Sequence, residues 1–153
     1  MLRHLMIDVV AIVVLTYSTG ALAQQHQFGT PAEARAMLVR ATAAVQTDKA
    51  KALAMFNKGE GGFKDRDLQP FCFNVSDGTI TASTHPSLLG TDARILKDKT
   101  GELFGEKIRK AAMEGKITEV SYMFPRPGET EPVQKVSFVT KVGDQVCGVG
   151  YFK

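Results

Sequence analysis

The sequence has no tryptophan and few of the side chains from which metal centres are built. Its 153 residues include three histidines and two cysteines. His4 and His26 precede the predicted folded domain, so His85 is the one histidine expected within it. One histidine and a pair of cysteines expected to bridge leave no Cys/His ligand set. No loop carries the alternating oxygen ligands of a calcium site. We therefore expect no metal.

Motifs for covalent, redox or nucleotide chemistry are also missing. The chain contains no G-x-S-x-G elbow, no C-x-x-C-H haem attachment and no glycine-rich phosphate loop. The net charge is +3, and the basic residues are scattered among acidic ones. A nucleic-acid surface needs a clustered basic stripe instead. We expect no enzyme, no cofactor and no nucleic-acid partner.

A single long apolar run is present, and it lies at the N-terminus. Arg3 precedes an apolar stretch over 9–17, and Ala21 and Ala23 form an A-x-A cleavage site. The stretch is roughly half the ~20 residues of a membrane-spanning helix. We predict a signal peptide over 1–23, a disordered tail over 24–29 and a periplasmic or secreted product without stable membrane insertion. A retained anchor is the alternative.

The two cysteines lie in strand-like runs, Cys72 in FCFNV and Cys147 in QVCGVGYF. Disulfides form in exported proteins, and an even number of cysteines favours a bridge. We predict a Cys72–Cys147 disulfide. Two unpaired buried thiols are the alternative.

Helix signals begin at Thr30. Thr30 and Glu33 form a capping box around Pro31, and an apolar stripe with helical spacing follows. A second helical segment over 49–57 ends at Lys58-Gly59. The pattern leaves open whether the two segments form one bent helix or two helices.

The rest of the chain alternates as strands around one irregular crossover and a helix over 102–115. This order predicts an α+β domain with a five-stranded antiparallel sheet and helices on one side. The crossover should close over one sheet face and leave a hollow, the usual place for a ligand. The strands are predicted over 71–75, 80–84, 117–124, 132–142 and 145–152, with an Asp-Gly turn between the first two.

Lys135 is the strongest candidate for a ligand-binding cation. Strand alternation places it on one face with Val133 and Ser137. That face is either an apolar-flanked interior or the solvent side, where most lysines lie. Tyr122, on the preceding strand, would be its neighbour and would add a hydroxyl on an apolar body. An ammonium group and a phenol together suit a carboxylate.

The order of these motifs resembles the single Cache domain, a PAS-like extracellular module that senses small molecules for bacterial receptors. The resemblance covers about residues 30–153, almost all of the predicted mature chain. Its markers are Asp77-Gly78, His85-Pro86, Gly90, Asp98, Gly101, Tyr122, the proline-rich turn over 125–127, Lys135 and the segment 148–151.

The resemblance implies a PAS-like sheet with a long N-terminal helix on one face and a ligand pocket on the other. Its members typically bind small organic acids or related metabolites. Carried onto this sequence, it implies a pocket built by Tyr122 and Lys135, then His85 and Arg94, with Phe73 as an apolar wall. A His-Pro pair at a strand end is equally explained by the turn it fixes.

Most members of that family sit between membrane helices and drive an output domain, whereas this sequence ends with the last predicted strand. We therefore expect a stand-alone periplasmic binding domain for a small carboxylate, without an output domain of its own. A membrane sensor kinase or chemoreceptor would be its partner. The alternative is a structural or interaction protein that docks to a membrane partner without a ligand.

Overall fold

The computed structural model describes residues 27–153. The predicted signal peptide over 1–23 and the first half of the predicted tail over 24–29 lie outside the described residues. Helix α1, Pro31–Thr47, begins with the predicted capping box. The Glu33 amide donates to Thr30 Oγ1 at 3.3 Å, and the Thr30 amide donates to a Glu33 carboxylate oxygen at 2.8 Å. These bonds satisfy amides that a helix start otherwise leaves unpaired.

The two helical segments form two helices. Asp48, between α1 and helix α2, Lys49–Lys58, has an extended backbone with φ −155° and ψ 95°. Its carboxylate accepts from the Lys51 amide at 3.1 Å, so Asp48 ends one helix and caps the next. Helix α2 ends at Gly59, whose φ of +68° favours glycine. No helix in the described part of the chain is long and apolar enough to cross a bilayer.

The five strands form one antiparallel sheet, as the sequence predicts. Their order across the sheet is β2-β1-β5-β4-β3, so β5 lies at the centre. The extents of β4 and β5 match the prediction, while β2 is shorter because Ser83 leaves the sheet and its amide donates to Asn57 Oδ1 of α2. The strands are β1 Pro70–Asn74, β2 Ile80–Ala82, β3 Thr118–Pro125, β4 Pro132–Val142 and β5 Gln145–Phe152.

The prediction that all helices lie on one side of the sheet is wrong for the third helix. Helices α1 and α2 cover one face, where their apolar side chains pack on Val136 and Val149. Helix α3, Phe104–Ala111, packs on the opposite face against Phe73 and Val120. It ends before the predicted residue 115 because the chain turns to the sheet, where the Lys141 amide donates to the Met113 carbonyl.

The predicted disulfide joins Cys72 of β1 to Cys147 of β5. The two residues stand directly opposite each other in the strand register, and both are fully buried. The bridge belongs to the α1 side of the sheet. On the opposite face of the sheet, β1 contributes phenylalanine and β5 contributes glycine, and a cavity lies on that face.

Candidate ligand-binding site

A cavity of about 70 Å³ lies between the sheet and the segments that cross over it. One buried water needs roughly 10–15 Å³ on this scale, so the space suits a molecule of about five to seven heavy atoms. Strands β1, β2, β3 and β4 supply the walls, and α3 supplies the roof together with the crossover, the irregular segment between β2 and α3. The residues central to its chemistry are Asp67, Gln69, Phe73, His85, Phe104, Tyr122, Phe124, Lys135 and Gly150.

The floor of the cavity is created by missing side chains on the central strand. Gly148 and Gly150 alternate with Cys147 and so belong to the face away from α1. A Cβ atom at Gly150 would lie 2.6 Å from both Cε of Lys135 and Oγ of Ser137, and one at Gly148 would clash with the Phe71 ring. The two glycines therefore let side chains from neighbouring strands lie across β5.

Lys135 extends over this floor from β4. It stands opposite Tyr122 on one side and Phe152 on the other. Its Nζ lies 5.1 Å from the ring centroid of Phe124 and 4.7 Å from that of Phe152. Among residues 27–153 the ammonium group makes no hydrogen bond and no ion pair within 4.0 Å. Two aromatic faces thus hold a cation whose hydrogen-bond donors are unused.

Burial of Lys135 lowers its pKa from 10.5 to about 8, and the charge of Asp67 opposes this effect. Removal from water disfavours the charged form of a lysine. At neutral pH the side chain is still mainly protonated. The cavity therefore presents a poorly hydrated positive charge, which favours a small anion.

Tyr122 adds a buried hydroxyl close to this charge. Its oxygen lies 2.9 Å from Oγ of Ser137, and its ring stacks on Phe104 with centroids 4.7 Å apart. Burial raises the pKa of the phenol to about 12, so it keeps its proton. Together the two hydroxyl groups have two hydrogens. One hydrogen forms the bond between Tyr122 and Ser137, so the other is available to a further acceptor.

His85 lies at the mouth of the cavity and is exposed as a residue. Its ring meets Phe124 edge to face at 5.5 Å, and Nδ1 lies 2.9 Å from Thr84 Oγ1. Partial burial of the ring, with a smaller effect from the charge of Lys135, lowers the pKa of the imidazole. The His85 carbonyl also accepts from the Leu88 amide, so the residue both fixes the turn and borders the cavity.

The structure does not bring Arg94 to the cavity. Its guanidinium forms a two-pronged pair with Asp92, with Nε–Oδ1 at 2.9 Å and Nη2–Oδ2 at 2.7 Å. This pair lies beside Gly78, in the turn between β1 and β2. The proposed site therefore excludes Arg94. Phe73 is 98% buried and lines the cavity as the expected apolar wall.

Several contributors were not identified from the sequence. Phe124 follows Tyr122 by two residues and shares its face, so strand alternation alone indicates it. The G-V-G pattern of β5 could have suggested a bare floor. Asp67 and Gln69 lie in a loop without periodicity, and no pattern points to them. Within the described residues, histidine, cysteine, aspartate and glutamate form no group of three that could hold a metal.

A family model described as the Cache domain matches residues 36–147. This chain belongs to the Cache domain family. Cache domains are sensory modules that bind ligands, and the fold described above is of that PAS-like kind. No curated protein matches the chain significantly.

Solved structures share the fold of this Cache domain. A methyl-accepting chemotaxis protein from Vibrio parahaemolyticus RIMD 2210633 has a TM-score of 0.64 at 20% identity, over 79% of this chain and 86% of the other. A periplasmic sensor domain of a chemotaxis protein has a TM-score of 0.59 at 22% identity, over 77% and 86%. A Cache chemosensory domain, described for its recognition of carboxylic acid, has a TM-score of 0.56 at 21% identity, over 76% and 84%.

Proposed function

We propose that this Cache domain is a periplasmic sensing domain that binds a small monocarboxylate. One observation carries the proposal: the Lys135 ammonium borders the cavity without a hydrogen bond or an ion pair to the described residues. A carboxylate on Lys135 would supply that missing partner.

The energetics of the site suit this role. A hydrogen bond between charged groups contributes about 1.5–3 kcal/mol, and more where water is excluded. The remaining hydrogen of the Tyr122–Ser137 pair offers a second donor to the same anion. The neutral imidazole of His85 offers another at the mouth.

The shape of the site limits the ligand. A space for about five to seven heavy atoms admits acids such as acetate, propionate or pyruvate and leaves little room for an aromatic acid. The walls are phenylalanines, which suit a short hydrocarbon tail. One domain of similar fold is described for carboxylic acid recognition, which supports the same ligand class.

The domain would report to a membrane signalling protein. Its N-terminal sequence predicts export, and two domains of similar fold come from chemotaxis proteins. We propose that the ligand-bound form is recognised by a sensor kinase or chemoreceptor.

Titration calorimetry of the purified protein with acetate, propionate and pyruvate tests the binding proposal. We expect saturable binding of at least one acid and a loss of about 10-fold to 150-fold in affinity for Lys135→Met, from one charge-assisted bond. Lys141→Met is the matched control, because Lys141 lies on β4 but outside the cavity lining.

Equal affinities in the wild type and Lys135→Met would remove Lys135 from the site. A wild type that binds none of the three acids would contradict the proposed ligand class. If this protein then bound a membrane receptor in the absence of any small molecule, the result would favour an interaction protein that docks to its partner without a ligand.

A further inference from the structure

The cavity contains a second charged group that the carboxylate site does not use. Asp67 lies in the loop before β1 and lines the same cavity as Lys135. One of its oxygens, Oδ1, accepts from the Gly29 amide at 2.6 Å. The other, Oδ2, is buried and has no hydrogen-bond partner within the described part of the chain.

An unpaired buried carboxylate oxygen is costly, and native proteins seldom tolerate one without a reason. No side chain among residues 27–153 satisfies it. The Gln69 side-chain amide donates to the Phe56 carbonyl at 2.6 Å. The charge of Asp67 acts to raise the pKa of Lys135, yet the two side chains form no ion pair within 4.0 Å.

The Lys135 ammonium and the Asp67 carboxylate thus line one small cavity without forming an ion pair. Whatever bridges them must offer an acceptor to the Lys135 ammonium and a donor to Asp67 Oδ2. A plain monocarboxylate satisfies the first demand only. An acid with a hydroxyl or ammonium group beside its carboxylate satisfies both.

We propose that Asp67 is a second ligand-binding residue, and that the domain selects small carboxylates carrying a hydrogen-bond donor next to the carboxyl group. This selectivity rests on the proposed function and deepens it. The carboxylate lies on Lys135, and the adjacent donor replaces the partner that Oδ2 lacks. Such three-carbon acids have six heavy atoms and fit the cavity.

A set of matched three-carbon acids tests the assignment by calorimetry. Propionate has no substituent, lactate and alanine carry a donor, and pyruvate carries an acceptor. We expect the wild type to bind lactate or alanine at least about tenfold more tightly than propionate and pyruvate, as one charge-assisted hydrogen bond implies. The two donor acids distinguish a hydroxyl group from an ammonium group.

The substitution Asp67→Asn sharpens the test because it exchanges an acceptor for a donor with almost no change in shape. We expect it to lose the preference for donor-bearing acids over propionate and to gain affinity for pyruvate relative to lactate and alanine. Asp65→Asn is the control, since Asp65 is exposed and pairs with Arg66 outside the cavity.

Equal wild-type affinities for propionate, lactate and alanine would overturn the Asp67 assignment while leaving the carboxylate site intact. An unchanged preference in Asp67→Asn would overturn it as well. A wild type that binds none of these acids would instead overturn the proposed function and this inference with it.

Discussion

The two faces of the sheet are built from the same strands but differ in what fills them. On the α1 face, Met37, Leu38 and Phe56 are at least 99% buried and pack on a layer of aliphatic side chains. On the other face, glycines, a lysine and a tyrosine surround an open space. The α1 face is packed with apolar side chains, while the other face combines a second apolar cluster with a lysine that borders a cavity.

Alternation along one strand can therefore separate side chains that stabilise the fold from positions that border the cavity. In β5, Cys147, Val149 and Tyr151 belong to the packed core, while Gly148 and Gly150 lie between them on the cavity side. A substitution on one side of this strand should therefore change the free energy of unfolding. A substitution on the other side should change ligand affinity.

The largest expected effect is on the packed face. Phe56→Ala removes a fully buried ring that meets Phe63 edge to face at 4.6 Å. We expect a loss of about 3–5 kcal/mol in the free energy of unfolding, measured by urea denaturation. Val39→Ala on the exposed side of α1 is the control, with a change within about 0.5 kcal/mol. A small loss for Phe56→Ala would show that this face is not the stabilising core.

On the cavity face, Lys135→Met should stabilise the protein at pH 7. The pKa of Lys135 is about 8 in the folded state against 10.5 as its ordinary value, a difference worth on the order of 3 kcal/mol. Because Lys135 still borders the cavity and lies over aromatic rings, we expect less than this full difference. The free energy of unfolding of Lys135→Met, measured by urea denaturation, should exceed that of the wild type by about 1–3 kcal/mol.

The stability advantage of Lys135→Met over the wild type should shrink as pH rises. Between pH 8 and 10.5 the unfolded chain binds a proton at Lys135 that the folded protein has released. The wild type therefore gains stability relative to Lys135→Met as pH rises through this window, and the advantage of the variant shrinks. An advantage that stays constant from pH 7 to pH 10.5 would contradict the lowered pKa.

The smallest expected effects come from the two sides of β5. Gly150→Ala adds a Cβ atom 2.6 Å from Lys135 Cε, so the lysine stem must move away from the floor. We expect a loss of roughly tenfold in carboxylate affinity, equivalent to about 1.4 kcal/mol. Val149→Ala, one residue earlier on the packed face, should lower stability and leave affinity unchanged in calorimetry. The reverse pattern would refute the division of roles between the faces.

Much of the fold could be predicted from the sequence because it depends on local chemistry. The Thr30–Glu33 capping box, the strand period and the disulfide are each determined by a few neighbouring residues or by the cysteine count. The side of the sheet taken by α3 could not be predicted in this way. An amphipathic helix such as 104–111 buries its apolar stripe equally well on either face, and tertiary connections decide between them.

The same contrast between local chemistry and tertiary placement applies to the residues of the candidate site. The shared position of Tyr122 and Lys135 at the cavity could be predicted because two paired strands place cross-strand neighbours on one face. Arg94 was misplaced, because its nearest acid, Asp92, lies two residues away and holds it locally. Asp67 was missed because its place in the cavity results from how an irregular loop returns to the sheet. Sequence patterns carry little information about such long-range placement.

The proposed site depends on one contact, in which the Lys135 ammonium binds the ligand carboxylate inside the cavity. A crystal structure of the protein soaked with the tightest-binding three-carbon acid tests it most directly. We expect a carboxylate oxygen about 2.7–2.9 Å from Lys135 Nζ, between β4 and the crossover. An acid bound away from Lys135, or an Nζ atom turned out into bulk solvent beside an empty cavity, would contradict it.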